Sequence, residues 1–305
     1  MNELQTMWSI SRRKSLINCP RQYVLRYSNN QNKYISKRKK LTKKSLDDIF
    51  VSSLREVMIE RLEDQRNGII WSDKMIFLKI KMNLELDIGT KALSKIRNSN
   101  SKFLEELISS AKKQLDSLWN TNIFRRINTN KIKRWSCLDR KKSVSNAHID
   151  IFCSPDLIFQ IQNKWHLLRV DLLGEKANSF EDLEALAMVN WSLKNRNLPA
   201  LTKKYIVHVL KFRNGKWLHE RFLPTEELLE QSKQLLEKDV NQMNNLLDKI
   251  GPMRNLSIIP LANNHYHCTK CIFKNKCPAK NGLAKAKIEQ KLAEYNFAKE
   301  RFLTN

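Results

Sequence analysis

Four cysteines at the two ends of the chain constrain the fold more than any other feature. Cys19 stands in Asn18-Cys19-Pro20-Arg21-Gln22-Tyr23, near the start. Cys268, Cys271 and Cys277 stand in His267-Cys268-Thr269-Lys270-Cys271 and Lys276-Cys277-Pro278, near the end. One plus three thiolates make the ligand set of an iron–sulfur cluster or a structural zinc. A fold that satisfies this set has to bring its first and last segments together, so the centre would clasp a chain of 305 residues. The spacing alone leaves a rival open. His265 and His267 precede Cys268 and could complete a local zinc site with the three C-terminal cysteines, without Cys19. Cys137 and Cys153 have no ligand-like spacing, and Cys153 reads as a small buried hydrophobe.

The second constraint is charge. Lys and Arg number 56 against 31 Asp and Glu, a net charge of +25. A surplus of that size, spread along a folded chain, implies a polyanionic partner, with nucleic acid the first expectation. Lysines kept for solubility account for only part of it. The clusters are Arg12-Arg13-Lys14, Lys37-Arg38-Lys39-Lys40, Arg140-Lys141-Lys142 and Lys203-Lys204. Trp8, Trp71 and Trp135 lie near basic stretches, where they can stack on bases or fill the core. Met1–Ile10 reads as neither a signal nor a transit peptide, and no apolar run approaches the roughly 18 residues of a membrane span. The expectation is a cytoplasmic protein with no membrane partner. In that compartment thiols stay reduced and serve metals more readily than disulfides.

The pattern along the chain reads as α/β. Residues 7–27 form a short helix, and 29–44 a polar, basic connector. A helix begins after Ser45, carries Ile49, Phe50, Leu54, Val57 and Met58 on one face, and stops at Asn67-Gly68. Two further helices are expected over about 73–97 and 101–120. β-Rich runs then flank Gln162-Asn163-Lys164 as a hairpin. A helix follows over 180–195, and Asn214-Gly215 joins a second hairpin. Thr225 starts a long helix that Gly251-Pro252 ends, and a basic helix closes the chain. The segments are 1–44 (first ligand helix and connector), 45–130 (helical lobe), 131–262 (sheet-bearing core) and 263–305 (cysteine segment and last helix).

Within the first hairpin, Pro155-Asp156-Leu157-Ile158-Phe159 precedes Leu168-Arg169-Val170-Asp171-Leu172-Leu173. A β-hairpin can bring two such carboxylates to one sheet end, where Mg²⁺ or Mn²⁺ would polarise a phosphodiester and activate water.

With both motifs in this order, the chain resembles the PD-(D/E)xK nucleases of the RecB-like branch that carry a four-cysteine iron–sulfur cluster. Those include the CRISPR-associated cluster exonucleases and the AddB-type helicase–nuclease subunits. The resemblance implies a restriction-endonuclease-like mixed sheet flanked by helices, with a helical lobe and an iron–sulfur clasp. It assigns a 4Fe-4S cluster, with zinc the alternative, to Cys19, Cys268, Cys271 and Cys277. It assigns Mg²⁺ or Mn²⁺ to Asp156 and Asp171 if the chain is active, and implies DNA and other protein subunits as partners, in repair or recombination. The departures matter as much. The motif lysine is absent, since Leu173 stands two residues after Asp171. Lys176 is the candidate replacement, and Glu175 a candidate third metal ligand. Glu184 and Met188 stand where the family usually has Gln and Tyr, and the upstream helix lacks the family's histidine. His148 and His166 read as structural. The reading is a nuclease-like DNA-binding subunit with weak or lost catalysis. The alternative is an active metal-dependent exonuclease or endonuclease using Asp156, Asp171 and Lys176. Arg12, Arg13, Lys14, Lys37, Arg38, Lys39 and Lys40 are the candidate DNA contacts.

Overall fold

The computed structural model describes residues 6–27, 45–89, 93–94, 102–146, 148–174, 181–250, 256–269 and 271–303. The chain divides into two compact units, each built from discontinuous stretches. One takes Met1–Lys43, Lys141–Cys153 and Glu227–Asn305, and the other Lys44–Arg140 and Ser154–Glu226. The units cut across the segments read from the sequence, because the helices after Ser45 share one core with the strands that follow them.

The first unit opens with β1 (Thr6–Trp8), α1 (Ile10–Asn18) and α2 (Pro20–Tyr27). The single helix expected over 7–27 is thus broken. Cys19 is extended, with φ −163° and ψ 103°, because the residue before a proline is driven out of the helical region. Pro20 then starts α2, where its missing N–H costs nothing.

The second unit begins with α3 (Leu46–Arg66), whose start is fixed by a capping box. Ser45 Oγ accepts the Asp48 N–H, and the Asp48 carboxylate accepts the Ser45 N–H. Then come α4 (Asp73–Ile88), α5 (Phe103–Trp119) and α6 (Asn122–Asn128). The helix expected over 73–97 stops at Ile88. Gly89 follows at φ +77°, a left-handed conformation that ends helices.

β2 (Trp135–Cys137) belongs to the second unit, whereas β3 (Val144–Asn146) and β4 (Ile149–Ile151) join β1 in the first. That three-stranded sheet runs β1-β4-β3, with β1 parallel and β3 antiparallel to β4. The larger sheet continues with β5 (Leu157–Ile161) and β6 (Lys164–Asp171), then α7 (Glu181–Lys194), β7 (Tyr205–Arg213) and β8 (Lys216–Phe222). Its order is β2-β5-β6-β7-β8. All neighbours are antiparallel except β6 and β7. The parallel pair is the one joined by α7, since a parallel connection needs a crossover. Both tight turns match expectation: Gln162 and Asn163 have φ 46° and 61°, and Asn214 and Gly215 have 49° and 77°.

One face of this sheet offers Leu157, Phe159, Leu168, Val170 and Leu210 to the buried faces of α3, α4, α5 and α6. The alternate residues Arg169, Asp171 and Lys211 line the other face. There Glu184 of α7 meets Arg169 at 2.9 Å. The chain is therefore a mixed α/β protein with two mixed sheets.

The first unit closes with α8 (Glu226–Ile250), α9 (Tyr266–Thr269) and α10 (Leu283–Leu303). Asp239 of α8 accepts from Trp8 Nε1 at 2.9 Å and is ion-paired with Arg13. Among the described residues, no helix is long and apolar enough to cross a membrane.

Candidate functional site

Asp156 ends the extended segment before β5, and its backbone N–H donates to Leu168 O at 2.8 Å. That bond fixes the start of the hairpin. The carboxylate is fully buried and surrounded by guanidinium groups. Arg140 Nε and Nη2 each donate to it at 2.6 Å, in a bidentate pair. Arg55 Nε, from α3, donates at 2.6 Å. Arg169 Nη1 lies 3.5 Å away, and the Val170 N–H donates at 2.9 Å. Burial by itself would push this carboxyl up. Arg140, then Arg169 and Arg55, hold it well below the usual carboxylate range instead. The arginines are fixed in turn: Arg55 also donates to Leu138 O at 3.1 Å, and Arg169 to Ser154 O at 3.0 Å.

Asp171, at the end of β6, is used differently. Its Oδ1 accepts the N–H groups of Leu173 at 3.2 Å and Gly174 at 3.0 Å, which closes the turn that follows the strand. Gly174 is required there. It sits at φ +53°, and a Cβ on it would lie 1.7 Å from Phe212 O. Gly174→Ala is expected to lower stability by at least about 2 kcal/mol through backbone strain and overpacking, measured as a shift in the urea midpoint.

The sequence-predicted acids therefore meet different partners, arginines for Asp156 and backbone for Asp171. Lys176 and Glu175 lie outside the described residues. Glu184 is ion-paired with Arg169, and Met188 is fully buried. Lys211 stands in register with Asp171 on the neighbouring parallel strand, is 1% exposed, and pairs with Glu220. Sequence reasoning passed over Arg55 and Lys211. The Arg140 cluster was legible as charge, but nothing in the pattern pointed it at Asp156.

Cys19, Cys268 and Cys271 each lie within electrostatic range of Cys277. Cys19 is influenced by the charges of Cys271 and Cys277, and Cys268 by those of Cys277 and Cys271. Burial pushes the Cys19 thiol up, while the N–H groups of Gln22 and Arg21 at the start of α2 act against it. Burial also raises Cys271, opposed by the Phe273 N–H. The C-terminal triplet is wound into consecutive tight turns. Cys271 N donates to Cys268 O at 3.3 Å, Lys274 N to Cys271 O at 3.1 Å, and Cys277 N to Lys274 O at 3.2 Å. Cys268 and Cys277 pack on the small apolar cluster of Leu261, Ala279 and Ala286. None of the four is in a disulfide. Among the described residues, no three His, Cys, Asp or Glu side chains are drawn closely enough around one point to hold a metal ion as they stand. Four thiols are the number a cluster or a zinc takes, and backbone N–H groups act on Cys19 and Cys271.

Of the candidate DNA contacts, Arg12 stacks on the Tyr27 ring with its guanidinium carbon 4.4 Å from the centroid, and Arg13 pairs with Asp239. Lys14 is half-buried. Lys37, Arg38, Lys39 and Lys40 lie outside the described residues. Trp8 and Trp71 are core residues, whereas Trp135 is half-buried with Arg66 stacked 3.7 Å from its ring centroid.

A further cluster crosses the larger sheet. His166 Nδ1 meets His208 Nε2 at 2.7 Å, and His208 Nδ1 meets His219 Nε2 at 2.8 Å. Phe159 stacks on His166 at 4.8 Å. His166 is structural, as expected from the sequence, and His208 and His219 join it through strand register.

A scan against family models and a search of the curated proteins return no match. Among solved structures, the crystal structure of SSO0001 is similar at 10% identity with a TM-score of 0.30, covering 74% of this chain and 95% of that one. A likeness that distant carries no argument about fold or function.

Proposed function

We propose that this chain is a nuclease-like, DNA-binding subunit of a DNA-processing complex, held together by a cysteine-ligated iron–sulfur cluster and without phosphodiester hydrolysis of its own. The observation that carries the proposal is the surroundings of Asp156. A divalent cation needs open carboxylate oxygens, and those of Asp156 are taken up by Arg55, Arg140 and the Val170 N–H. Guanidinium groups supply the positive charge that a metal would bring.

Three further features support the reading. The order of hairpin, crossover helix and parallel strand agrees with a restriction-endonuclease-like sheet. The net charge of +25 suits a phosphate backbone. Cys19, Cys268 and Cys271 each lie within electrostatic range of Cys277, and the four would hold a 4Fe-4S cluster, which would supply folding free energy as a clasp. A cytoplasmic location is part of the proposal, as expected from the sequence.

A second reading, an active Mg²⁺- or Mn²⁺-dependent nuclease, is favoured by Lys211. It is buried in register with Asp171 and could stand in for the lysine missing at Leu173. The two readings separate on labelled single- and double-stranded DNA with Mg²⁺ or Mn²⁺, using anaerobically purified protein. Intact DNA is expected, together with binding that weakens steeply with salt. Metal-dependent cleavage that disappears in Asp156→Ala and Asp171→Ala would overturn the inert reading.

A further inference from the structure

We propose that Arg55 and Arg140 form a phosphate-binding site beside the buried Asp156 carboxylate, where their remaining N–H groups take one phosphate of bound DNA. This proposal rests on the DNA-binding reading above and names the side chains that would carry it in the second unit.

Three guanidinium groups meet at Asp156, and all of these residues belong to that unit. Arg55 Nε and Arg140 Nε donate to the same oxygen, Oδ1, each at 2.6 Å, and Arg169 Nη1 stands 3.5 Å from it. Glu184 meets Arg169 at 2.9 Å. Three positive groups against two carboxylates leave a surplus of one positive charge. A guanidinium cannot give up its proton to relieve such crowding. The surplus falls to Arg55 and Arg140, since Glu184 serves Arg169.

The geometry of the bonds shows which donors remain. A guanidinium carries five N–H groups in a fixed plane. Arg140 meets Asp156 through its Nε and Nη2 edge, so Nη1 and the second hydrogen of Nη2 point away from that carboxylate. Arg55 gives Nε to Asp156 and Nη2 to Leu138 O, which leaves it the same three donors. Asp156 has little left to offer them, because it is fully buried and also accepts the Val170 N–H at 2.9 Å. The Arg140 side chain is 33% exposed and that of Arg55 14%. The cluster is therefore closed at Asp156 and opens to solvent at Arg140. A fork already seated on one carboxylate is held in place for a second oxyanion at its other edge, so little side-chain freedom is lost on binding. A phosphate fits, because its tetrahedral oxygens can bridge two guanidinium groups. An internal phosphodiester, a strand-end phosphate and free phosphate share this chemistry.

The test uses the whole chain as wild type, Arg140→Gln, Arg140→Lys and Asp156→Asn, with Lys203→Gln as a control that removes an exposed charge elsewhere. Urea midpoints are measured in inorganic phosphate and in chloride at equal ionic strength. Affinity for a single-stranded oligonucleotide, with and without a 5′-phosphate, is measured across a salt series. Phosphate should raise the wild-type midpoint, and Arg140→Gln should lose most of that rise. Arg140→Gln should also bind DNA about tenfold more weakly, the loss of one charge-assisted contact. Its plot of log affinity against log salt should be shallower by about 0.7, one phosphate fewer on a single strand. Arg140→Lys keeps the charge without the fork and should fall between. Asp156→Asn frees guanidinium charge, so its phosphate-induced rise should exceed that of wild type even though its fold is weaker. A purely structural cluster gives no such increase, and its absence would overturn the proposal. So would a wild-type phosphate response or a wild-type salt slope in Arg140→Gln, or an equal loss in Lys203→Gln. Should Arg140→Gln fail to fold, the same results in Arg140→Lys decide. A loss confined to the 5′-phosphorylated strand would place a strand end at the site, and a loss on both strands an internal phosphodiester. A wild type that binds neither strand at any salt would instead remove the DNA-binding reading itself, so the two failures are distinct.

Discussion

Asp156→Ala should destabilise the protein by about 3–5 kcal/mol, the cost of deleting one member of a buried ionic cluster and leaving its partners unpaired. Arg55 and Arg140 would lose their carboxylate acceptor, and the Val170 N–H its side-chain partner. The guanidinium groups would then repel one another around the vacated, buried position. The sign of the effect discriminates between the two functional readings. In a metal site awaiting its ion, neighbouring carboxylates repel, so removing one relieves strain and stabilises the metal-free protein. Here the excess at Asp156 is cationic, and removal is expected to destabilise. Urea unfolding of wild type and Asp156→Ala, each with EDTA and with Mg²⁺, reads both quantities. A lower midpoint in the variant, with no Mg²⁺ stabilisation of wild type, fits the ionic cluster. A variant more stable than wild type, or a wild type stabilised by Mg²⁺, would return Asp156 to the metal.

The same cluster shows where sequence reading reaches its limit. Local chemistry was legible. Ser45 and Asp48 announced a helix start, and Asn214-Gly215 announced a turn, because each device acts within a few residues. The C-terminal cysteines stood out by their close spacing. The break at Cys19-Pro20 and the stop at Gly89 were missed where apolar periodicity was allowed to outweigh a proline and a glycine. The surroundings of Asp156 were not legible at all. Arg55 reaches it across 101 residues of sequence, and only the packing of α3 on the sheet brings them together. Asp156 and Asp171 looked equivalent in the hairpin. One is buried among cations, and the other closes a turn with backbone N–H groups. Lys211 became visible only with the parallel register of β6 and β7, which no local pattern states.

The histidine ladder is the other long-range feature, and it is expected to set the acid limit of the fold. Burial depresses His166 to about 4. Burial, with His166 and His219 beside it, depresses His208 to about 3. Arg221 opposes protonation of both rings, and Arg126 that of His166. The exposed His219 is lowered as well, by burial of part of its ring and by Arg221. In the unfolded chain both inner rings titrate near the ordinary histidine value of about 6.5. Below that pH the unfolded state therefore binds protons that the folded state refuses. Stability is fully present above about pH 6.5 and is lost as pH falls toward about 4 and then 3. Two such groups cost roughly 2–4 kcal/mol between pH 7 and 5, a window in which ordinary carboxylates scarcely titrate. Urea midpoints measured across that window should fall in wild type. They should be nearly flat in the double variant His166→Leu/His208→Leu, whose apolar rungs have nothing to protonate. The slope is the readout, because the variant's absolute stability also reflects lost stacking on Phe159 and two lost ring contacts. An equal slope in both proteins would mean that the inner rings titrate normally in the folded state. The ladder would then be a packing feature without consequence for acid stability.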